Sequence, residues 1–520
     1  MKYPNYFKKL RLTHLLVGAS IILASCEMER TDISPVLEET TQETTLLDEW
    51  QLVEMTDYSN LREGDFTGKF LILSKTPNLP NNLARDIAAA GGEIVESYPQ
   101  VGVAVAIAHR ADFLINARAI NSIESVTADY IMQYTHEPTN LEMVEMSVGG
   151  TTSSETAART AFNYRTAFFD GFQWAPKAIN ATEAWDAGLT GQGIRVAVID
   201  GGFLSTHIDL APNFDIAASR STVPGFNFNQ DVGTFWHGTH VAGIVSAAGI
   251  GVVGIAPRST LIGVKSLHNG SGAFSWILNG LLYAATPREV GGAGADIINM
   301  SLGATFDYRS PWGDKEFRDA FRELQKIYDR AMRYAWQNGV TVLVSAGNGG
   351  NNFDEARELF QLPAQSQHAL SISSTGPTGW GLGAVNFSQP AYYTDHGKSL
   401  VDFAAPGGTL GLALVEGNFN PCRIQGTFTG STNTCALFDQ VFSTIRGSSN
   451  SSFGWAQGTS MASPAAAGVV ALMMEAEGRR LSPAQVRARL RQTSTDLGEP
   501  GNDKFYGHGF VDAARAAGVR

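Results

Sequence analysis

Cysteine is scarce in this chain, with three residues in 520. A fold resting on a disulfide framework is excluded, and a chain this long buries a sufficient core without one. Basic residues are outnumbered, 38 Lys and Arg against 50 Asp and Glu, which leaves a net charge of -12. Phosphate neutralisation requires a local basic excess, so a nucleic-acid partner is excluded. Beyond the N-terminal region no run is long and apolar enough to form a membrane-spanning helix. No internal repeat is present. The glycines of Gly188-Leu189-Thr190-Gly191-Gln192-Gly193 precede a strand pattern instead of following one, so they form a turn and not a dinucleotide-binding loop. What remains, 43% hydrophobic and 17% charged residues, is ordinary globular composition.

The N-terminus carries an address. Lys2, Lys8, Lys9 and Arg11 precede a short apolar run over residues 15–24, which ends in Leu23-Ala24-Ser25-Cys26. This pattern is an export signal, and the last four residues resemble a bacterial lipobox, in which the cysteine becomes the lipidated first residue. Residues 1–25 are therefore expected to be a signal peptide and Cys26 a lipid anchor. The expected location is the outside of a bacterial cell, at the outer membrane or cell surface. Cys422 and Cys435 then remain as an even pair in an oxidising compartment, and a disulfide between them is expected.

Composition divides the rest. Residues 26–67 are acidic and Thr-rich, as in Glu38-Glu39-Thr40-Thr41-Gln42-Glu43-Thr44-Thr45, and read as a tether. Residues 68–134 follow a β-α-β-β-α-β pattern: strands at 70–73, 101–108 and 123–127, helices at 81–90 and 111–119. The order suggests a small ferredoxin-like α+β domain. Residues 135–171 contain Gly149-Gly150-Thr151-Thr152-Ser153-Ser154 and read as a flexible linker. From residue 172 to 520 short β-branched runs alternate with helical patterns. That alternation predicts an α/β domain with a parallel sheet flanked by helices.

Three peptides in this last region carry chemistry: Val198-Ile199-Asp200-Gly201-Gly202, His237-Gly238-Thr239-His240-Val241-Ala242-Gly243, and Gly458-Thr459-Ser460-Met461-Ala462-Ser463-Pro464. A serine hydroxyl needs a neutral imidazole to take its proton and a buried carboxylate to orient that imidazole. Asp200 ends an apolar strand pattern, His237 begins a helical run, and Ser460 opens a long helix whose N-terminus favours negative charge.

With these peptides the region from about Trp174 onward resembles the subtilases, the subtilisin-like serine peptidases. The likeness extends to Gly254-Ile255-Ala256-Pro257, Asn299-Met300-Ser301-Leu302-Gly303, Ser345-Ala346-Gly347-Asn348, Phe403-Ala404-Ala405-Pro406-Gly407 and Gly507-His508-Gly509-Phe510-Val511-Asp512-Ala513. The resemblance implies a subtilisin-like fold and an Asp200–His237–Ser460 triad, with Asn348 as the oxyanion-hole side chain. It implies that an extended peptide lies between Gly270-Ser271-Gly272 and Ser301-Leu302-Gly303, with Ser345-Ala346-Gly347 also lining the site. Residues 68–134 resemble the subtilase propeptide, which implies an intramolecular inhibitor whose tail, Asp129 to Tyr134, enters the active site, with self-cleavage near Tyr134.

Two departures qualify the resemblance. Family members often bind calcium, and Asp209 matches one ligand position, but the loop Ala247-Ala248-Gly249-Ile250-Gly251-Val252 lacks Asn and Asp. No metal is expected there, and the chemistry requires no cofactor. Insertions at about 304–328 and 408–455 stand out, and both are expected near the substrate groove. The expectation is an exported serine endopeptidase made as a zymogen, acting on protein or peptide substrates. A transpeptidase or peptide cyclase would use the same triad, and a surface peptide-binding protein would keep the groove without turnover.

Overall fold

In a computed structural model the described residues are 46–135, 142–146, 163–166, 168–233, 235–307, 309, 315–423 and 432–520. The signal peptide, Cys26 and most of the acidic stretch lie outside them. From Thr45 to Arg520 the chain forms one compact unit.

The ferredoxin-like order is present. Strands Phe66–Ser74, Gly92–Tyr98, Val103–Ala108 and Ile123–Gln133 alternate with helices Leu83–Ala89 and Phe113–Arg118. They form an antiparallel sheet in which Val103–Ala108 and Ile123–Gln133 flank the first strand and Gly92–Tyr98 takes the outer edge. The run Phe70-Leu71-Ile72-Leu73 is continuously apolar because both faces are covered. Phe70 and Ile72 pack on Ile87, Phe113 and Ala117 of the domain's own helices. Leu71 and Leu73 turn the other way, into a core shared with Ile277, Leu278 and Phe321.

The larger domain is built on an eight-stranded sheet. Its central strands, Ala369–Gly376, Thr341–Ser345, Ile297–Met300, Arg195–Asp200 and Thr260–Lys265, lie side by side and all run parallel. Arg220–Ser221 extends one edge, Phe403–Pro406 pairs with Ala369–Gly376, and Gln389–Pro390 adds the antiparallel member. Helix Thr459–Ala476 is apolar all round and buried from Thr459 through Met474, the pattern of a central helix. Helices His237–Ser246, Phe274–Ala285 and Lys315–Gln337 pack around the sheet. Among the described residues no helix is long and apolar enough to cross a membrane.

Several boundaries differ from the expectation. Part of the tether is folded: Leu47 is buried in the small domain's core, and Met55, Tyr58 and Leu61 pack around Trp276. Part of the linker is folded too. Met143–Glu145 joins the hairpin of Val441–Thr444 and Ser452–Ala456 as a third, antiparallel strand. The Glu145 carboxylate accepts hydrogen bonds from the hydroxyls of Ser448, Ser449 and Ser452. Tyr164, Phe168 and Phe169 pack against the large domain, which therefore begins before residue 172. The rest of the linker lies outside the described residues.

The insertion around 304–328 contributes strand Ala304–Asp307, paired with Leu359–Leu362, and the first half of helix Lys315–Gln337. The insertion around 408–455 is closed by a Cys422–Cys435 disulfide. Phe438, Phe442, Phe453 and Trp455 from this insertion pack with Phe168 and Phe172 in one aromatic cluster.

Candidate active site

The three peptides converge at the carboxyl ends of the parallel strands, where open α/β sheets collect ligands. Asp200 is the last residue of its strand and has no exposed surface. Its Oδ1 accepts the Gly201 N–H at 2.7 Å. His237 is the first residue of its helix, turned into place by Trp236, whose φ of 45° is left-handed. Its Nδ1 lies 2.9 Å from both carboxylate oxygens of Asp200. Two Gly substitutions would break this approach: a Cβ on Gly238 would meet Gly202 O at 2.9 Å, and one on Gly243 would enter the Ser443 and Thr444 side chains. The Ser443 and Thr444 hydroxyls hold the His240 and Thr239 carbonyls, which fastens the hairpin to the His237 helix. His240, one turn on, is fully buried, and burial pushes its imidazole down to about 3. It stays neutral and structural.

Ser460 is the second residue of its helix, where backbone N–H groups have no partner within the helix. Ser301 holds it twice. The Ser301 hydroxyl donates to the Ser460 carbonyl at 2.7 Å, and the Ser460 hydroxyl donates to the Ser301 carbonyl at 3.3 Å. Asn299 and Ser463 extend the chain, with Ser463 Oγ donating to Asn299 Oδ1 at 2.7 Å and Asn299 Nδ2 to Ser301 Oγ at 2.9 Å. The Ser460 hydroxyl makes no hydrogen bond to His237. Bonds between a nucleophile and its base are often unformed until substrate arrives.

Asn348 is oriented by its neighbours. Its Oδ1 accepts from both the Thr459 backbone N–H and the Thr459 hydroxyl, each at 2.9 Å. A backbone N–H only donates, so the oxygen of the amide must face Thr459 and the NH₂ must point away. The Thr459 hydroxyl in turn accepts the Gly347 N–H at 3.2 Å. Thr459 was not singled out in the sequence, being one residue from the more conspicuous Ser460.

The segments expected to flank a peptide take up these positions. Ser271–Ala273 pairs antiparallel with the tail of the small domain: Ile131 with Ala273, Met132 with Gly272, Gln133 with Ser271. The Tyr134 and Thr135 N–H groups both reach Gly270 O, at 2.9 and 3.1 Å. Tyr134 packs edge-on against Phe274. Ser301-Leu302-Gly303 and Ser345-Ala346-Gly347 follow adjacent parallel strands. A Cβ on Gly303 or Gly347 would meet Gln361 Nε2, at 2.7 and 3.0 Å. Gln361 thus stands between the two segments, a lining residue that carried no motif in the sequence.

The small domain is docked by more than its tail. Glu124 pairs with Lys326 at 2.7 Å and with Arg330 at 3.3 Å, both on helix Lys315–Gln337. Asp129 is completely buried at the start of helix Phe274–Ala285, accepting the Ser275 hydroxyl at 2.6 Å and the Ser275 N–H at 3.2 Å. Burial raises its carboxyl to about 6, against the opposing effect of these bonds.

The residues do not fit a calcium ion at Asp209. Its oxygens accept the N–H groups of Ile250, Gly251 and Val252, at 2.5, 2.8 and 3.1 Å. Donors occupy the carboxylate where a cation would need it free. Among the described residues no group of three or more His, Cys, Asp or Glu side chains is placed to hold a metal.

An imidazole held by a buried carboxylate, a serine on a helix N-terminus and an aimed amide can together activate a hydroxyl and receive an oxyanion. The chain is similar to known serine peptidases. The chain is 33% identical to Subtilisin E of Bacillus subtilis over 344 residues, 65% of this chain and 69% of that one. It is 30% identical to the Minor extracellular protease Epr of the same species over 343 residues, spanning 41% of that protein's length. In structure it is similar to the epidermin leader peptide processing serine protease of Staphylococcus aureus, with a TM-score of 0.63 at 20% identity, covering 88% of this chain and all of that one. That likeness concerns fold alone. The model of the subtilase family matches residues 191–509. The protein belongs to the subtilase family of serine peptidases.

Proposed function

We propose that the protein is an exported, lipid-anchored serine endopeptidase made as a zymogen. The observation that carries this reading is the 2.9 Å pairing of buried Asp200 with His237, at the same ends of the parallel strands as Ser460, the second residue of its helix. Asp200 holds the Nδ1–H tautomer and leaves Nε2 as the base. His237 Nε2 takes the Ser460 Oγ proton as that oxygen attacks the peptide carbonyl. The oxyanion is received by the Ser460 N–H and the Asn348 Nδ2–H. His237 then protonates the leaving amine, and water repeats the sequence on the acyl-enzyme. No cofactor enters these steps.

The groove accepts extended peptide because Ser271–Ala273 already pairs with one, the tail of residues 131–133. Backbone pairing is blind to sequence, and pockets for alternate side chains supply selectivity. The small domain is read as the inhibitor, with self-cleavage in the stretch that follows Tyr134. Export is supported by the lipobox-like Leu23-Ala24-Ser25-Cys26, by the Cys422–Cys435 disulfide and by the extracellular designation of the relative Epr.

One digest tests the reading. Purified full-length protein, incubated with a peptide library and with a fluorophosphonate probe, is expected to yield hydrolysed products, a probe adduct on Ser460 and a new N-terminus between residues 135 and 142. The yield is expected to be the same with EGTA as with added calcium. Ligated or cyclised products would establish transfer in place of hydrolysis, and loss of activity in EGTA would restore a metal requirement.

The inhibitor's hold is expected to depend on pH through Asp129. Its carboxyl is raised to about 6 when docked and returns to the ordinary range near 4 when the domain is released. Docking therefore takes up a proton. The hold is tightest below about pH 4 and weakens as pH rises through 6. Asp129→Asn should remove that weakening and slow release at pH 8 by roughly ten- to a hundredfold, measured as the lag before peptidase activity. An unchanged lag would exclude Asp129 as the sensor.

A further inference from the structure

Asn348 sits in a segment with little conformational preference of its own. Gly347-Asn348-Gly349-Gly350-Asn351 holds three glycines in five residues, and Gly347 and Gly350 take left-handed φ values of 113° and 65°. Such a backbone has many alternatives open to it. Thr459 fixes the Asn348 side chain, and a second segment, residues 393–396, fixes the backbone. The Gly350 N–H donates to Tyr393 O at 2.7 Å, the Asp395 N–H to Gly347 O at 2.9 Å, and the His396 N–H to Asn351 O at 2.9 Å.

Asp395 is the centre of this second segment, and the steps above leave it unused. It has no exposed surface. Its Oδ1 accepts the Asn351 N–H at 2.8 Å. With its own N–H on Gly347 O, one residue therefore grips both ends of the loop. It also packs against the middle. A Cβ on Gly349 would lie 3.0 Å from Oδ1, and one on Gly347 would run into Oδ2.

Oδ2 itself is buried and has no hydrogen-bond partner among the described residues. A carboxylate with one idle oxygen is a costly way to fill an interior. What it supplies there is the acceptor at Oδ1. Burial raises the carboxyl to about 6, against the lowering by the Asn351 and Gly349 N–H groups, so the group is ionised at neutral pH. An ionised acceptor holds an N–H more strongly than a neutral one.

We propose that Asp395 is a positioning residue of the peptidase reaction, which bridges Gly347 and Asn351 and thereby places the Asn348 amide where the oxyanion forms. The inference rests on reading Asn348 as an oxyanion donor. Asp395 touches neither substrate nor the reacting atoms; it acts through the loop. A misplacement of about 1 Å can cost about a hundredfold in rate, and a loop this rich in glycine has the freedom to shift that far once one end is released.

The test compares variants of the full-length chain on a fluorogenic peptide selected from the library digest. Asp395→Ala is expected to lower kcat by about ten- to a hundredfold with KM within about twofold, because the lost interaction is made in the transition state. Asp395→Asn keeps an acceptor for the Asn351 N–H and should recover kcat to within about threefold of the wild type. In an Asn348→Ala background, Asp395→Ala should cost less than about threefold more, since both changes remove the same interaction. Full, multiplicative losses in the double variant, a rise in KM with kcat unchanged, or no loss in folded Asp395→Ala would overturn the proposal. Should Asp395→Ala not fold, Asp395→Ser, whose side chain is one bond shorter, takes its place under the same criteria.

Hydrogen exchange in the Ser460→Ala chain needs no turnover. There Asp395→Ala should speed exchange of the Asn351 amide at least about tenfold and leave strand Thr341–Ser345 unchanged. Unchanged exchange at Asn351 would show that Asp395 does not hold the loop. Absence of turnover by the wild-type chain would overturn the functional reading, and with it this role, by a result distinct from any difference between variants.

Discussion

Ser460→Ala is expected to reduce kcat by about 10⁶, the order known for loss of the nucleophile in subtilisin itself. The variant should also accumulate as the unprocessed chain with the small domain attached, because the self-cleavage proposed above would use the same hydroxyl. Stability should hardly change. The Ser460 side chain makes one hydrogen bond, to the Ser301 carbonyl at 3.3 Å, while the Ser301 hydroxyl grips the Ser460 backbone, which alanine retains. A melting temperature close to the wild type, together with lost fluorophosphonate labelling, separates removal of the nucleophile from unfolding. Residual turnover within tenfold of the wild type would mean that another group attacks the peptide.

The second large effect is expected at Asn348. Asn348→Ala should lower kcat by about 10²–10³ with little change in KM, the range known for one oxyanion donor in subtilisin. A donor aimed at the oxyanion acts more strongly in the transition state than in the ground state, so its loss appears in kcat. Thr459 makes this prediction specific. Its N–H and hydroxyl both donate to Asn348 Oδ1, which turns the NH₂ away from Thr459. Thr459→Val removes one of these two donors and the acceptor for Gly347 N–H, and should lower kcat by a smaller factor. Thr459→Ser, which retains the hydroxyl, should restore most of it. A loss for serine with none for valine would show that the methyl group matters and the hydrogen bond does not.

These residues were unequally visible in the sequence. Asp200, His237 and Ser460 each stand in a Gly-rich peptide at an element boundary, and the parallel sheet was legible from β-branched runs alternating with helical patterns. The small domain was legible because its strands and helices are local and strongly periodic. Leu47, Met55, Tyr58 and Leu61 were not, because they are single apolar residues scattered among charges, and only Trp276 and the small domain's core give them a place. Met143–Glu145 was hidden for a different reason: its partners, Ser452 to Gly454, lie some 300 residues further on, and three residues carry no periodicity. Lys265 was not singled out, since nothing in sequence marks a lysine as buried. Gln361 and Thr459 serve through geometry alone.

At Asp209 the sequence showed what the loop lacks, and the structure shows what replaces it. A loop closed by an ion contributes stability that rises with the logarithm of ion concentration and disappears when the ion is stripped away. Closure by three backbone N–H groups of the same chain carries no such mass-action dependence, so dilution and competing chelators leave it unchanged. Its sensitivity is transferred to protons. Burial raises the Asp209 carboxyl to about 6, so the folded chain binds the proton more readily than the unfolded one. This group's contribution to stability therefore grows as pH falls from about 6 toward 4. A peptidase built this way would hold this loop closed in surroundings depleted of calcium and mildly acidic.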